Sequence, residues 1–111
     1  MFAVIYRGYL KNNKEGAYKN AWRLIAEYFI EEKGAIGSCL HQTSDGMWVA
    51  YSRWVSKEAR DAAWPKDMES IDENYPIFIK DAIVTLKECV DEKRHLPEMC
   101  LDVVEDLLSG K

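Results

Sequence analysis

The segment Gly34–Trp54, GAIGSCLHQTSDGMWVAYSRW, constrains the fold of this chain more than any other part. Apolar, β-branched and aromatic residues flank Ser44-Asp45-Gly46, and a short loop ending in glycine suits a type I turn whose last residue is left-handed. The stretch therefore reads as one β-hairpin in which Thr43 pairs with Met47. Counting back with period-two alternation, one face carries Cys39, His41, Val49, Tyr51 and Arg53. The other carries Ile36, Ser38, Leu40, Gln42, Trp48, Ala50, Ser52 and Trp54. A slip of one residue would set His41 opposite Trp48 instead.

The flanking sequence supplies the remaining elements. Phe2–Leu10 alternates Phe2, Val4 and Tyr6 with Ala3, Ile5 and Arg7; both sets are largely apolar, as in a strand covered on both faces. Over Lys14–Lys33, Tyr18, Ala21, Trp22, Ile25 and Phe29 recur at helical spacing, and Gly34 is the stop. After the hairpin, Ser56 can cap a short helix running to about Trp64, with Glu58 in its first turn and Pro65 ending it. Lys66–Tyr75 is polar and reads as a loop. Pro76 suits the first turn of a second long helix, with a stripe of Ile79, Ala82, Ile83, Leu86 and Val90 and an end near Lys93. In Pro97–Leu108, Met99, Leu101 and Val103 alternate as in a strand, whereas Leu101, Val104 and Leu108 would suit a helix; Pro97 and the Val pair favour the strand.

The order is β-α-β-β-α-β with an extra short helix, an α+β ferredoxin-like pattern. With 111 residues the chain fits one domain, 1–111, large enough for a core without disulfides or metals. One such unit has helices on a single face of its sheet. The apolar character of both faces of the first strand therefore predicts a homodimer joined sheet to sheet.

Composition narrows the function classes. The net charge is −4, acids gather toward the C-terminal third, and no run of Lys and Arg is interleaved with aromatics, which disfavours nucleic acid as a partner. Cys39, Cys89 and Cys100 are odd in number and widely spaced, so neither a disulfide framework nor a metal site is indicated, and a reduced cytoplasmic location is the expectation. The start, MFAVIYRGYL, is too short to span a bilayer and has no basic region or small-residue cleavage site, so no membrane association is expected. Aromatic residues make up 12% of the chain, with four Trp and six Tyr, which fits either a large apolar cavity or a buried subunit interface as well as ordinary core packing.

The run Arg53-Trp54-Val55-Ser56-Lys57-Glu58-Ala59, leaving a strand and entering a helix, resembles the Trp-x-Ser-x-Glu-Ala signature of the antibiotic biosynthesis monooxygenase superfamily. With the opening strand and the Gly-Ala-Ile-Gly-Ser hairpin entry, the resemblance covers nearly the whole chain. It implies a dimeric α/β-barrel in which two ferredoxin-like units pack sheet to sheet, each with a pocket between sheet and helices. Members of the superfamily include oxygenases that act on polycyclic aromatic molecules without metal or flavin, and enzymes that open haem. The haem-degrading branch has a Trp near the end of the short helix, which Trp64 matches, but also an Asn on the first strand and a His further along the helical region. Here the first strand offers Arg7, and beyond Trp64 there is Asn74 but no His before His95, so the resemblance does not extend to haem degradation.

A cofactor-independent oxygenase needs a pocket that helps an acidic phenol lose a proton and stabilises the anion, so that oxygen can accept an electron. His41 is the candidate general base and Arg53 the candidate anion-stabilising group, with Tyr6, Arg7, Trp48, Tyr51 and Trp64 as candidate ligand-binding residues; no cofactor is implied. Each has a plainer reading. A strand His is more often a hydrogen-bonded structural residue, and Arg7 and Arg53 can equally pair with acids such as Asp102 or Glu105 across a dimer seam. Trp22 is most simply core, Trp48 and Trp54 can line a pocket or fill an interface, and Trp64 can anchor the loop after Pro65. Cys39 reads as a small buried apolar residue, and His95 as part of a solvated turn with Lys93 and Arg94. Glu98, Asp102, Glu105 and Asp106 read as a charged surface or edge-strand pattern.

Overall fold

Two alternating strands and the hairpin between them settle which side chains meet. The computed structural model describes residues 1–64 and 75–108. Strand β1 spans Phe2–Gly8, helix α1 Glu15–Glu32, β2 Ala35–Gln42, β3 Trp48–Trp54, α2 Lys57–Ala63, α3 Ile77–Cys89 and β4 Met99–Asp102. The sheet order is β2-β3-β1-β4 with every neighbouring pair antiparallel, which is the ferredoxin-like arrangement. The tail forms the strand that its Met99–Leu101 alternation predicts.

The hairpin has the expected register. Cys39 faces Tyr51, Leu40 faces Ala50 and His41 faces Val49. The Thr43 N–H donates to the Met47 carbonyl at 2.8 Å, and Gly46 has φ 92°, the left-handed position that glycine occupies without strain. One detail differs. A bulge between Ala35 and Gly37 takes Ile36 out of the ladder, so Ala35 occupies the covered position at 6% exposure and Ile36 stands 48% exposed. The extra residue shifts parity by one, which no alternation count from the turn can anticipate.

Helix α1 buries Tyr18, Ala21, Ile25 and Phe29 at i, i+3 and i+4 spacing and ends where Gly34 turns left-handed at φ 82°. Ser56 caps α2, its hydroxyl accepting from the Ala59 N–H at 3.1 Å. Helix α3 starts after Pro76 and buries Ile79, Ala82 and Ile83, but it stops at Cys89 rather than near Lys93. Val90 becomes extended and bridges Leu10, while Lys11 N–H donates to the Cys89 carbonyl and Asp91 N–H to the Tyr9 carbonyl, each at 2.8 Å. The chain thus exchanges helical bonds for pairing with the end of the first strand, which itself leaves the sheet at Gly8 instead of Leu10. A short 3₁₀ turn, Glu92–Arg94, follows. Of the loop expected over Lys66–Tyr75, all but Tyr75 lies outside the described residues. Tyr75 itself is buried and its hydroxyl donates to the Ala63 carbonyl.

The helices lie on one face of the sheet, over Phe2 and Val4 of β1 and Trp54 of β3, and the core joins these to Ile25, Phe29, Ile79 and Ile83. The other face carries Ile5 and Arg7, Val49, Tyr51 and Arg53, Cys39 and His41, and Met99 and Leu101. Cys39 is exposed there rather than buried, because no helix covers that side of the edge strand β2. Beyond β4 the chain returns toward this face: Arg53 pairs with Asp106 at 2.7 Å, within one chain, and not with Asp102 or Glu105. The acidic tail therefore supplies a partner for the sheet residue Arg53 and is not simply a charged edge.

Candidate functional site

Strand β3 has the covered-face sequence Trp48-x-Ala50-x-Ser52-x-Trp54, large, small, small, large. Ser52 sits opposite Ser38 and Val4, and Ala50 opposite Leu40 and Tyr6, so two small side chains leave a hollow in the floor between two indoles. Above it, α1 contributes Tyr18, Trp22, Ile25 and Phe29 and α3 contributes Leu86 and Lys87, while the segment after α3 closes one side with Val90, Glu92, His95, Leu96 and Glu98. The result is a cavity of about 430 Å³ between the sheet and the helices. Its size and largely aromatic walls are those of a small-molecule site.

The aromatic wall is continuous. Tyr6 lies 6.3 Å from Trp64, Trp64 meets Phe29 edge to face at 5.4 Å, and Phe29 lies 5.8 Å from Trp54. At the other end Tyr18 and Trp48 are 5.7 Å apart. These ring separations fall in the range where aromatic pairs attract beyond their buried area. Burial pushes the Tyr18 hydroxyl up to about 12, so it is neutral at physiological pH.

Polar groups concentrate at one side. Arg60, on the short helix α2, is 8% exposed and its guanidinium is satisfied by four partners. It pairs with Glu98, bonds Asp61 at 2.8 Å, donates to the Tyr6 hydroxyl at 3.2 Å and contacts the Cys100 sulfur at 3.7 Å. It also stacks over the Phe2 ring, 5.7 Å from its centroid. Burial works against its charge, but the bonds to Glu98, Tyr6 and Asp61 win and its pKa rises. Burial also raises the Tyr6 pKa, against the opposing pull of Arg60. The Trp54 indole N–H is buried with no hydrogen-bond partner among the described residues.

The expected site residues divide between the two faces. Tyr6, Trp48 and Trp64 line the cavity. Arg7 and Tyr51 border it too, but strand parity turns their side chains to the open face, where the Arg7 guanidinium donates to the Pro97 carbonyl at 3.2 Å and Tyr51 is hydrogen-bonded to Arg53. His41 and Arg53 are not among the cavity residues. His41 is exposed on the open face, its Nδ1 3.2 Å from the Val49 carbonyl, and Arg53 is tied to Asp106. Arg53 holds the Asp106 carboxyl below the usual carboxylate range.

Sequence reasoning missed Arg60 and underrated His95 and Glu98. An arginine beside Ala59 and one turn before Ala63, on the side that a seven-residue helix must bury, was a legible signal for Arg60. For His95 there was none: it is exposed, as a turn residue should be, yet the exchange of helical for strand pairing at Val90 carries it to the cavity rim. Among the described residues no group of three His, Cys, Asp or Glu side chains could hold a metal ion, and no helix is long and apolar enough to cross a membrane.

No family model and no curated protein matches the chain in sequence. Solved structures match it along nearly its whole length. A Nitrosomonas europaea protein assigned to the antibiotic biosynthesis monooxygenases superposes with a TM-score of 0.69 at 20% identity, over 95% of this chain and 100% of that one. SnoaB, a cofactor-independent oxygenase from Streptomyces nogalater, gives 0.68 at 13% identity with 96% of each chain covered. Rv0793 from Mycobacterium tuberculosis gives 0.66 at 17% identity, over 95% of this chain and 96% of that one. The chain has the ferredoxin-like α+β fold of the antibiotic biosynthesis monooxygenases.

Proposed function

We propose that this chain is a member of the antibiotic biosynthesis monooxygenase superfamily that takes a small aromatic molecule into the cavity between sheet and helices and oxidises it without metal or flavin. The observation that carries this reading is the cavity itself: about 430 Å³ enclosed by Tyr6, Phe29, Trp48, Trp54 and Trp64 and left unfilled by its own aromatic walls. An electron-rich phenol stacked among these rings would be shielded from water. Loss of its proton gives an anion able to pass an electron to oxygen, and the substrate itself then supplies the reducing equivalents. Of the cavity-lining groups, His95 and Glu92 are able to accept that proton in place of His41, Glu98 being paired with Arg60. Two such chains would join through the open sheet faces, where Ile5, Val49 and Tyr51 are only half-buried in one chain.

The test follows oxygen uptake while polycyclic phenols and haem are presented to the protein, with binding read from tryptophan fluorescence. Uptake with a phenol and none with haem is the expected result. Binding without uptake would favour a second reading, a ligand-binding module of the same fold, which the placement of His41 and Arg53 outside the cavity supports. No binding across the set removes both.

A further inference from the structure

We propose that Tyr6, held by Arg60, is a fixed hydrogen-bond donor that selects aromatic ligands bearing an acceptor oxygen of carbonyl type, which makes Arg60 a positioning residue of the site. The inference deepens the proposed function and rests on the cavity being a ligand site.

A phenolic hydroxyl has one hydrogen to give and lone pairs to receive with, whereas guanidinium has only donors. Arg60 Nη1 lies 3.2 Å from the Tyr6 oxygen, so Arg60 must be the donor and Tyr6 the acceptor. The Tyr6 proton cannot point at Arg60. Among the described residues no acceptor takes it: the nearby Glu98 carboxylate is held by the same Arg60 nitrogen and makes no hydrogen bond to Tyr6. Tyr6 lines the cavity, so its unspent donor belongs to that space.

The hydroxyl keeps that proton. Burial raises its pKa from an ordinary value already far above neutrality. Nor is Arg60 free to turn away: Glu98, Asp61 and the Phe2 ring fix the guanidinium plane on three sides, and its side chain is 10% exposed. A donor already bonded to a cation is polarised, and its own O–H is strengthened as a donor in a poorly solvated site.

A second observation points the same way. The Trp54 indole is 2% exposed, lines the same cavity, and its N–H has no partner among the described residues. Trp is a donor only. Two unfilled donors on one aromatic wall, Tyr6 and Trp54, face Glu98 as the lone carboxylate near Tyr6, and Glu98 is already paired. The Ser38 and Ser52 hydroxyls on the floor can adapt either way. A ligand that supplies an acceptor at this wall satisfies a donor that is otherwise unpartnered among the described residues.

The experiment uses an isosteric pair, 9-fluorenone and fluorene, which share a tricyclic aromatic frame and differ in one carbonyl oxygen. Each is titrated against the full chain by tryptophan fluorescence. The wild-type protein binds the ketone roughly tenfold more tightly, as one net hydrogen bond gives. Tyr6→Phe removes only the hydroxyl and equalises the two ligands without weakening fluorene. Arg60→Met moves the ratio toward one while leaving fluorene affinity unchanged, and Arg60→Lys, which restores a donor, recovers part of the preference. A merely structural role for Arg60 would weaken both ligands together, and an unfolded Arg60→Met leaves Tyr6→Phe and Arg60→Lys to decide. Equal affinity of the wild type for ketone and hydrocarbon overturns the donor inference and spares the cavity. A preference that survives Tyr6→Phe also overturns it. Absence of binding by either ligand overturns the ligand-site reading on which it stands.

Discussion

The covered and open faces of the sheet are built by the same strands, yet the cavity lies on the covered one. On the covered side, the small Ala50 and Ser52 lie between Trp48 and Trp54 under a helix layer, and a continuous wall of aromatic rings borders a cavity. On the open side the chemistry-bearing residues His41, Arg53, Tyr51 and Cys39 sit on alternate positions of the same hairpin, where His41 meets the Val49 carbonyl and Arg53 is tied to Asp106 and Tyr51. The reactive side-chain types of the hairpin and the cavity thus lie on opposite faces of the same strands. Small residues beneath a helix mark the cavity.

The sharpest way to break this contrast is to truncate one residue on each side. Ile83→Ala, at a position with 0% exposure, should cost about 2–5 kcal/mol in urea denaturation. Val49→Ala on the open face of the same chain should cost about 1 kcal/mol or less. Equal losses would mean that the open face is packed as a core. Next in size is the effect on ligand: Ala50→Phe should fill the floor and abolish the fluorenone-induced fluorescence change with the fold retained, whereas His41→Ala should leave it as it is. Loss of binding in His41→Ala would move the site to the other face.

Assembly tests the open face directly. Light scattering should give twice the 12.9 kDa of one chain for the wild type and a mass near one chain for Val49→Glu, which places a charge where two sheets would meet. Persistence of the larger particle in that variant would sink the sheet-to-sheet arrangement.

Two smaller effects depend on pH. Tyr18 titrates near 10 when unfolded and at about 12 when folded, so its contribution is complete below pH 10 and is lost as pH rises between those values. A Tyr18→Phe variant should escape that alkaline loss in thermal melts. Asp106 shows the opposite sign, because Arg53 depresses its folded pKa. Its contribution is present above the ordinary carboxylate range and fades as pH falls through the depressed value. The melting temperature of Asp106→Asn should therefore lie slightly below wild type at neutral pH and converge with it in acid.

Much of the fold was legible because its signals are local. Ser44-Asp45-Gly46 set the hairpin register, Gly34 and Ser56 marked helix ends, and the Tyr18–Phe29 stripe named the buried face of α1. What failed was non-local. The bulge at Ile36 and the early end of α3 at Cys89 both come from pairing with another element, Trp54 with Ala35 in one case and Leu10 with Val90 in the other. The candidate site followed the same rule. Tyr6, Trp48 and Trp64 were named from sequence and line the cavity; the pairing of Arg60 with Glu98, which spans 38 residues, carried no local signal.

Which residues share a face follows from the order of amino acids alone, because the two-residue period of a strand and the 3.6-residue period of a helix are fixed by backbone geometry. The same amino-acid order also determined the order of elements, and with it the ferredoxin-like pattern. Which of the two sheet faces the helices would cover was decided only in three dimensions, since both faces of β1 are apolar enough to be buried and alternation cannot tell them apart. That choice placed Tyr6 in the cavity and His41 outside it.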